Sequence, residues 1–162
     1  MKENKDIIQV ENNYLDNVEL SGIQEVISSK DFLWSIKKMN PFILSHCLVD
    51  KQGENRSYFI DKVLSSVLKK LKAEIVLGSN ITVYDKHNEA KEHLEESEFL
   101  KNKNYKSCLL HLNSNDGFTK ILGLEKIPCE ENRAILTDTP TTFTEINPIK
   151  NNFKIVLAVH YL

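Results

Sequence analysis

Cysteine is scarce in this 162-residue chain, and what there is does not fall into a pairing pattern. Cys47, Cys108 and Cys129 stand far apart, in odd number and with no C-x-x-C. That argues against a disulfide framework or a zinc knuckle and for a reducing, cytoplasmic setting. Long apolar runs are missing too. None approaches the roughly 18 residues needed to span a bilayer, and the charged opening Met1–Asp6 carries no signal-peptide pattern. Charge of one sign is also absent: 21 Lys and Arg stand against 23 Asp and Glu, a net −2. The chain therefore offers no electrostatic footprint for nucleic acid or an anionic membrane. The phosphate-cradling G-x-x-x-x-G-K-[ST], the dinucleotide G-x-G-x-x-G and the nucleophile-elbow G-x-S-x-G are likewise absent.

What remains is an ordinary globular composition, 41% hydrophobic and 27% charged, in a chain long enough to bury a real core. No repeat, linker or low-complexity tract divides it, so a single domain over residues 1–162 is expected. Asp16 with Glu19 three residues later has the form of a capping box. Leu20, Ile23, Val26 and Ile27 follow at helical spacing and predict a helix over about 17–28. Val63, Leu64, Val67, Leu68 and Leu71 form a second apolar stripe, backed by lysines and serines, over about 61–72. From Ala73 the period changes from 3.6 to 2, with Gly78-Ser79-Asn80 expected as a bend or bulge. Strand signals lie at Ile7–Val10 and Phe42–Val49, and recur at Cys108–Leu112, Phe118–Ile121, Lys126–Ile127, Ala134–Leu136 and Phe153–Tyr161. Asn115-Asp116-Gly117 and Glu130-Glu131-Asn132 supply turns between them. The charged stretch from Asp85 to Asn104 has no clean period. Two helices ahead of many short strands, without β-α-β alternation, give an α+β, mainly β class with a sandwich or jelly-roll core.

Three segments carry a resemblance. Leu112-Asn113-Ser114-Asn115-Asp116-Gly117-Phe118-Thr119 is similar to an L-N-T-N-x-G-Y-T hairpin. Glu131-Asn132-Arg133-Ala134-Ile135-Leu136-Thr137-Asp138 is similar to an E-N-R-x-x-x-F-D strand. Phe153–Leu162 is similar to a closing R-V-N-I-N-F-x-Y-F strand. Together they resemble the Fe(II)/2-oxoglutarate-dependent oxygenases, in particular the small prolyl-4-hydroxylase-like proteins of tailed phages of marine bacteria. The resemblance implies a double-stranded β-helix, or jelly-roll, backed by the N-terminal helices.

It also implies a site. Such an oxygenase holds Fe(II) with two histidines and a carboxylate on one face, leaving room for a 2-oxo acid and O₂. The first His and the carboxylate come as H-x-D/E, because residues i and i+2 of a strand face the same way. His93-Leu94-Glu95 stands where that motif belongs, although a pair of this kind in a Glu-rich segment is equally read as solvated. The distal His position falls on Phe143, which has no lone pair for a metal. The basic residue that grips 2-oxoglutarate falls on Lys154, which lacks the bidentate fork of Arg. Val156 and Ala158 replace the family's inward Asn pair. His46, His87, His111 and His160 are the other histidine candidates for the missing ligand, and each reads more simply as a surface or hydrogen-bonded residue. Thr137, Asp138 and Thr139 offer oxygens near the expected mouth, where Asp138 fits a turn equally well. Phe32 and Trp34 are expected as core aromatics.

Two functions follow. In the first, the metal site has decayed and the domain serves as a binding or structural protein, with a protein partner or self-association, in the host cytoplasm or on a virion. The alternative is an active dioxygenase, with Fe(II) and 2-oxoglutarate as cofactors, that hydroxylates a protein or small molecule. Neither reading includes nucleic acid or a membrane.

Overall fold

A computed structural model describes residues 8–39, 42–86, 92–95, 104–121, 126–150 and 153–162, with residues 92–95 described as backbone. Helix α1 (Asn17–Ser28) starts at the capping box. The Asp16 carboxylate accepts from the Glu19 amide at 2.8 Å, and the Glu19 carboxylate accepts from the Asp16 amide at 3.1 Å. Two amide donors that a helix start leaves unpaired are thereby satisfied. Helix α2 (Ile60–Leu71) buries Val63, Leu64 and Val67, with Leu68 half-buried against the same core. It ends at Lys72, whose left-handed backbone (φ 53°) turns its amide back onto the Leu68 and Lys69 carbonyls.

The strands form two antiparallel sheets. β1 (Ile8–Glu11), β2 (Ser35–Met39), β3 (Phe42–Val49), β4 (Val76–Asp85), β6 (Lys106–His111), β9 (Arg133–Thr137) and β11 (Phe153–Tyr161) make the larger, in the order β1-β9-β6-β11-β4-β3-β2. β5 (Glu92–Glu95), β7 (Phe118–Ile121), β8 (Ile127–Pro128) and β10 (Phe143–Ile146) make the smaller, in the order β5-β10-β7-β8. From β4 onward the chain passes back and forth between the two sheets, which is the winding of a double-stranded β-helix. The expected bend at Gly78-Ser79-Asn80 is instead continuous strand. The bulge falls one residue earlier, at Leu77, where His160 pairs with Gly78 and Tyr161 with Val76.

Strand alternation divides the core in two. Cys108, Leu110, Ala134, Leu157 and Val159 face the helices and meet Leu20, Ile23, Val63, Leu64 and Val67. Leu109, Ile135, Val156 and Ala158 point the other way and meet Ile121 and Phe143 of the smaller sheet. Phe32 is buried in the helix-side core, with Trp34 packed edge-on against it. No helix among the described residues is long and apolar enough to cross a membrane.

The segments behind the resemblance turn out to fasten this frame. Asn113 donates to the Phe153 carbonyl at 3.0 Å and accepts from the Ile155 amide at 2.8 Å, tying the hairpin to β11. Asn132, in left-handed backbone at φ 61°, accepts from the Leu15 amide at 2.8 Å and donates to the Leu15 carbonyl at 2.7 Å. Gly117 lies so close to β10 that a Cβ there would stand 2.6 Å from the Ile146 carbonyl.

Candidate functional site

The space between the sheets is where the fold would hold a ligand, and Lys154 reaches it from β11. Because Ile155, Leu157 and Val159 pack toward the helices, alternation sends Lys154, Val156 and Ala158 inward. The opposite register, with a hydrated ammonium, is not the one observed: Lys154 has 0% exposure. A buried ammonium is costly without a counter-charge. Glu145 of β10, also 0% exposed, supplies it through a direct ion pair between its Oε2 and Lys154 Nζ. Nζ also donates to the Phe118 carbonyl at 2.8 Å and lies 3.4 Å from the Thr119 hydroxyl.

The network continues one residue further. Thr119 donates its hydroxyl proton to Glu145 Oε2 at 2.8 Å. That proton is its only one, so the contact with His111 Nε2 at 3.0 Å makes the imidazole the donor. His111 is therefore the neutral Nε2–H tautomer. Its pKa is lowered to about 3, chiefly by burial and then by the charges of Lys154 and Arg133. Two acceptors are left over: His111 Nδ1 and Glu145 Oε1 are buried and have no partner among the described residues.

Of the other expected site positions, the backbone brings 93, 95 and 143 together and leaves the rest apart. His93 and Glu95 lie on β5, whose backbone pairs with β10, setting position 93 opposite Glu145 and position 95 opposite Phe143. Their side chains lie outside the described residues, as does His87. Phe143 is buried in the inter-sheet core beside Ile121 and Val156. His160 pairs through Nδ1 with Ser107 Oγ at 2.9 Å, on the part of β11 remote from Lys154. His46 lies within 2.6 Å of the Leu33 carbonyl and 2.7 Å of Ser57 Oγ. Thr137 is buried. Asp138 makes a half-exposed ion pair with Lys106 at 3.4 Å. Among the described residues no three His, Cys, Asp or Glu side chains gather as a metal-holding group. The residue that sequence reasoning missed is Glu145, two positions after Phe143. Alternation makes an inward residue 143 imply an inward residue 145 only once β10 is known to be a strand, and its own four residues show no apolar period.

Solved structures resemble this one over nearly its whole length. An oxidoreductase of the 2OG-Fe(II) oxygenase family from Burkholderia pseudomallei is 14% identical, with 98% of this chain and 84% of that one covered at a TM-score of 0.65. A Pseudomonas putida prolyl-4-hydroxylase is 10% identical, over 97% and 92% of the two chains, at 0.66. HygX from Streptomyces hygroscopicus, with nickel and 2-oxoglutarate bound, is 9% identical over 95% and 82%, at 0.64. No family model matches the chain, and no curated protein sequence does. The fold is that of the 2-oxoglutarate/Fe(II) oxygenases.

For the iron and 2-oxoglutarate of such oxygenases, the described side chains include no group of three metal-holding residues. Where the resemblance puts the distal histidine, the phenyl ring of Phe143 has no lone pair to give. Lys154, which the resemblance assigns to the cosubstrate, is already paired with the protein's own Glu145 carboxylate. The wall beside Lys154 is apolar at Val156 and Ala158.

Proposed function

We propose that the chain keeps the oxygenase fold around a site that no longer takes iron or 2-oxoglutarate, and that it acts as a binding or structural protein. The observation that carries this reading is the buried Lys154–Glu145 pair. An incoming 2-oxoglutarate would have to displace a tethered carboxylate from its cation, and the displaced Glu145 would then be a buried charge without a partner. Phe143 supports the same reading, since a phenyl ring without a lone pair stands where the resemblance puts the distal histidine. A role of this kind includes a stable protein partner, self-association or a place on a virion, in line with the phage proteins the sequence resembles.

The test is an anaerobic calorimetric titration of the wild-type protein with Fe(II) and with Mn(II), with and without 2-oxoglutarate. The expected result is no stoichiometric binding at micromolar metal, and no succinate when air is admitted. Tight one-to-one metal binding strengthened by 2-oxoglutarate would overturn the proposal and restore the dioxygenase, with Fe(II) and 2-oxoglutarate as its cofactors.

A further inference from the structure

Lys154, Thr119 and Glu145 come from three strands, β11, β7 and β10, that belong to both sheets. Their geometry is that of a carboxylate held between an ammonium and a hydroxyl. Oε2 receives the Lys154 ion pair and the 2.8 Å hydrogen bond from Thr119, while the Phe118 carbonyl fixes the ammonium from another side at 2.8 Å. Charge-assisted contacts of this type are how proteins bind acid ligands. Here the acid belongs to the chain.

The geometry points to Glu145 as a tethered ligand, filling from within a site for small carboxylic acids formed by Lys154 and Thr119. This inference deepens the reading above, on which it rests for the closed state of the wild-type site. Cutting the tether then turns the site into a receptor. Glu145→Ala keeps Cβ and removes the two carbons and two oxygens beyond it, which is the heavy-atom frame of acetate. The vacated space keeps the charge preference, with the ammonium and hydroxyl still in place. Because the lost methylene was bonded to the Cβ that remains, formate should fit best, acetate only as the walls give, and propionate is too long for a packed interior.

The experiment is thermal unfolding of the wild type, Glu145→Ala and Glu145→Ala/Lys154→Met, in acetate or chloride at matched ionic strength. In chloride, Glu145→Ala is expected to melt roughly 10 °C below wild type, because Lys154 is left buried and unpaired. Acetate should raise that midpoint progressively with the logarithm of its concentration, as a ligand that binds only the folded state does. Formate, which clears the retained Cβ most easily, should act at least as strongly, and propionate least. The wild type should not respond, its site being full, and neither should the double variant, which lacks the cation. An acetate response in Glu145→Ala no larger than in the double variant overturns the inference, as does an unchanged midpoint in chloride. Should Glu145→Ala fail to fold in chloride, refolding is compared in the two salts. Recovery in acetate alone supports the tethered ligand, and recovery in neither contradicts it. Tight Mn(II) and 2-oxoglutarate binding by the wild type would remove the non-catalytic reading and leave this acetate result to be judged separately.

Discussion

A lysine and a glutamate with no exposed surface are an expensive pair to keep, since well-packed apolar residues of similar volume are often as stable or more so. Lys154 and Glu145 Oε2 persist with Phe118, Thr119 and, through Thr119, His111 in support, while Glu145 Oε1 has no partner among the described residues. His111 carries a consequence for pH. Its pKa falls from 6.5 to about 3 in the folded protein. Below about pH 6.5 the unfolded chain binds a proton there and the folded chain does not, so stability drops by ~1.4 kcal/mol per pH unit until about pH 3. Between pH 7 and pH 5 the wild type should therefore lose about 2 kcal/mol more than His111→Gln, measured by denaturant unfolding of both at the two values. Equal losses would mean that His111 is protonated in the fold. The inward direction of Lys154 was readable from β11 alone, since its neighbours alternate cleanly between apolar faces. The partner was not, because a glutamate beside Thr144 looks like a solvent residue until β10 is placed between β5 and β7.

Helices were more legible than strands at the level of elements. The capping box sets the start of α1, and the stripe from Val63 to Leu71 needs only a 3.6 period to be seen. That stripe also ranks substitutions. Leu64→Ala should cost about 3 kcal/mol, since Leu64 is buried in the helix-side core, and Leu68→Ala distinctly less, since Leu68 is half-buried. Urea unfolding of the two variants checks the order, and equal losses would mean that α2 presents a different face. Three strands left no such trace. β2 is exposed along its whole length, so Ser35-Ile36-Lys37-Lys38-Met39 has no buried face to imprint an alternation. β10 hides its period because one inward residue is the charged Glu145. β5 lies within the charged stretch whose composition reads as solvent-facing.

Across the whole molecule, the segments that resemble the oxygenases and the residues that would perform their chemistry are different sets. Asn113, Asn132 and Gly117 hold the hairpin, the N-terminal segment and the end of β10 in place, which is a task of the frame and not of its chemistry. Their presence accounts for how fully the fold could be read from sequence. Phe143, Glu145 and Lys154 are buried between the sheets, and it is there that the proposed reading has the sequence depart from the family pattern. Fold and function separate in this way because the frame depends on backbone pinning and packing, while activity depends on a few side chains. The central claim is that Glu145 holds the cation a cosubstrate would need, beside a ligand position that Phe143 leaves empty of donors. A crystal of the wild-type protein soaked anaerobically with Mn(II) and 2-oxoglutarate, with anomalous data collected, tests it most directly. The account predicts no manganese peak beside His93 and Glu95, and a Glu145 carboxylate still in contact with Lys154 Nζ. A manganese peak there, with 2-oxoglutarate on Lys154 and Glu145 turned away, would contradict it.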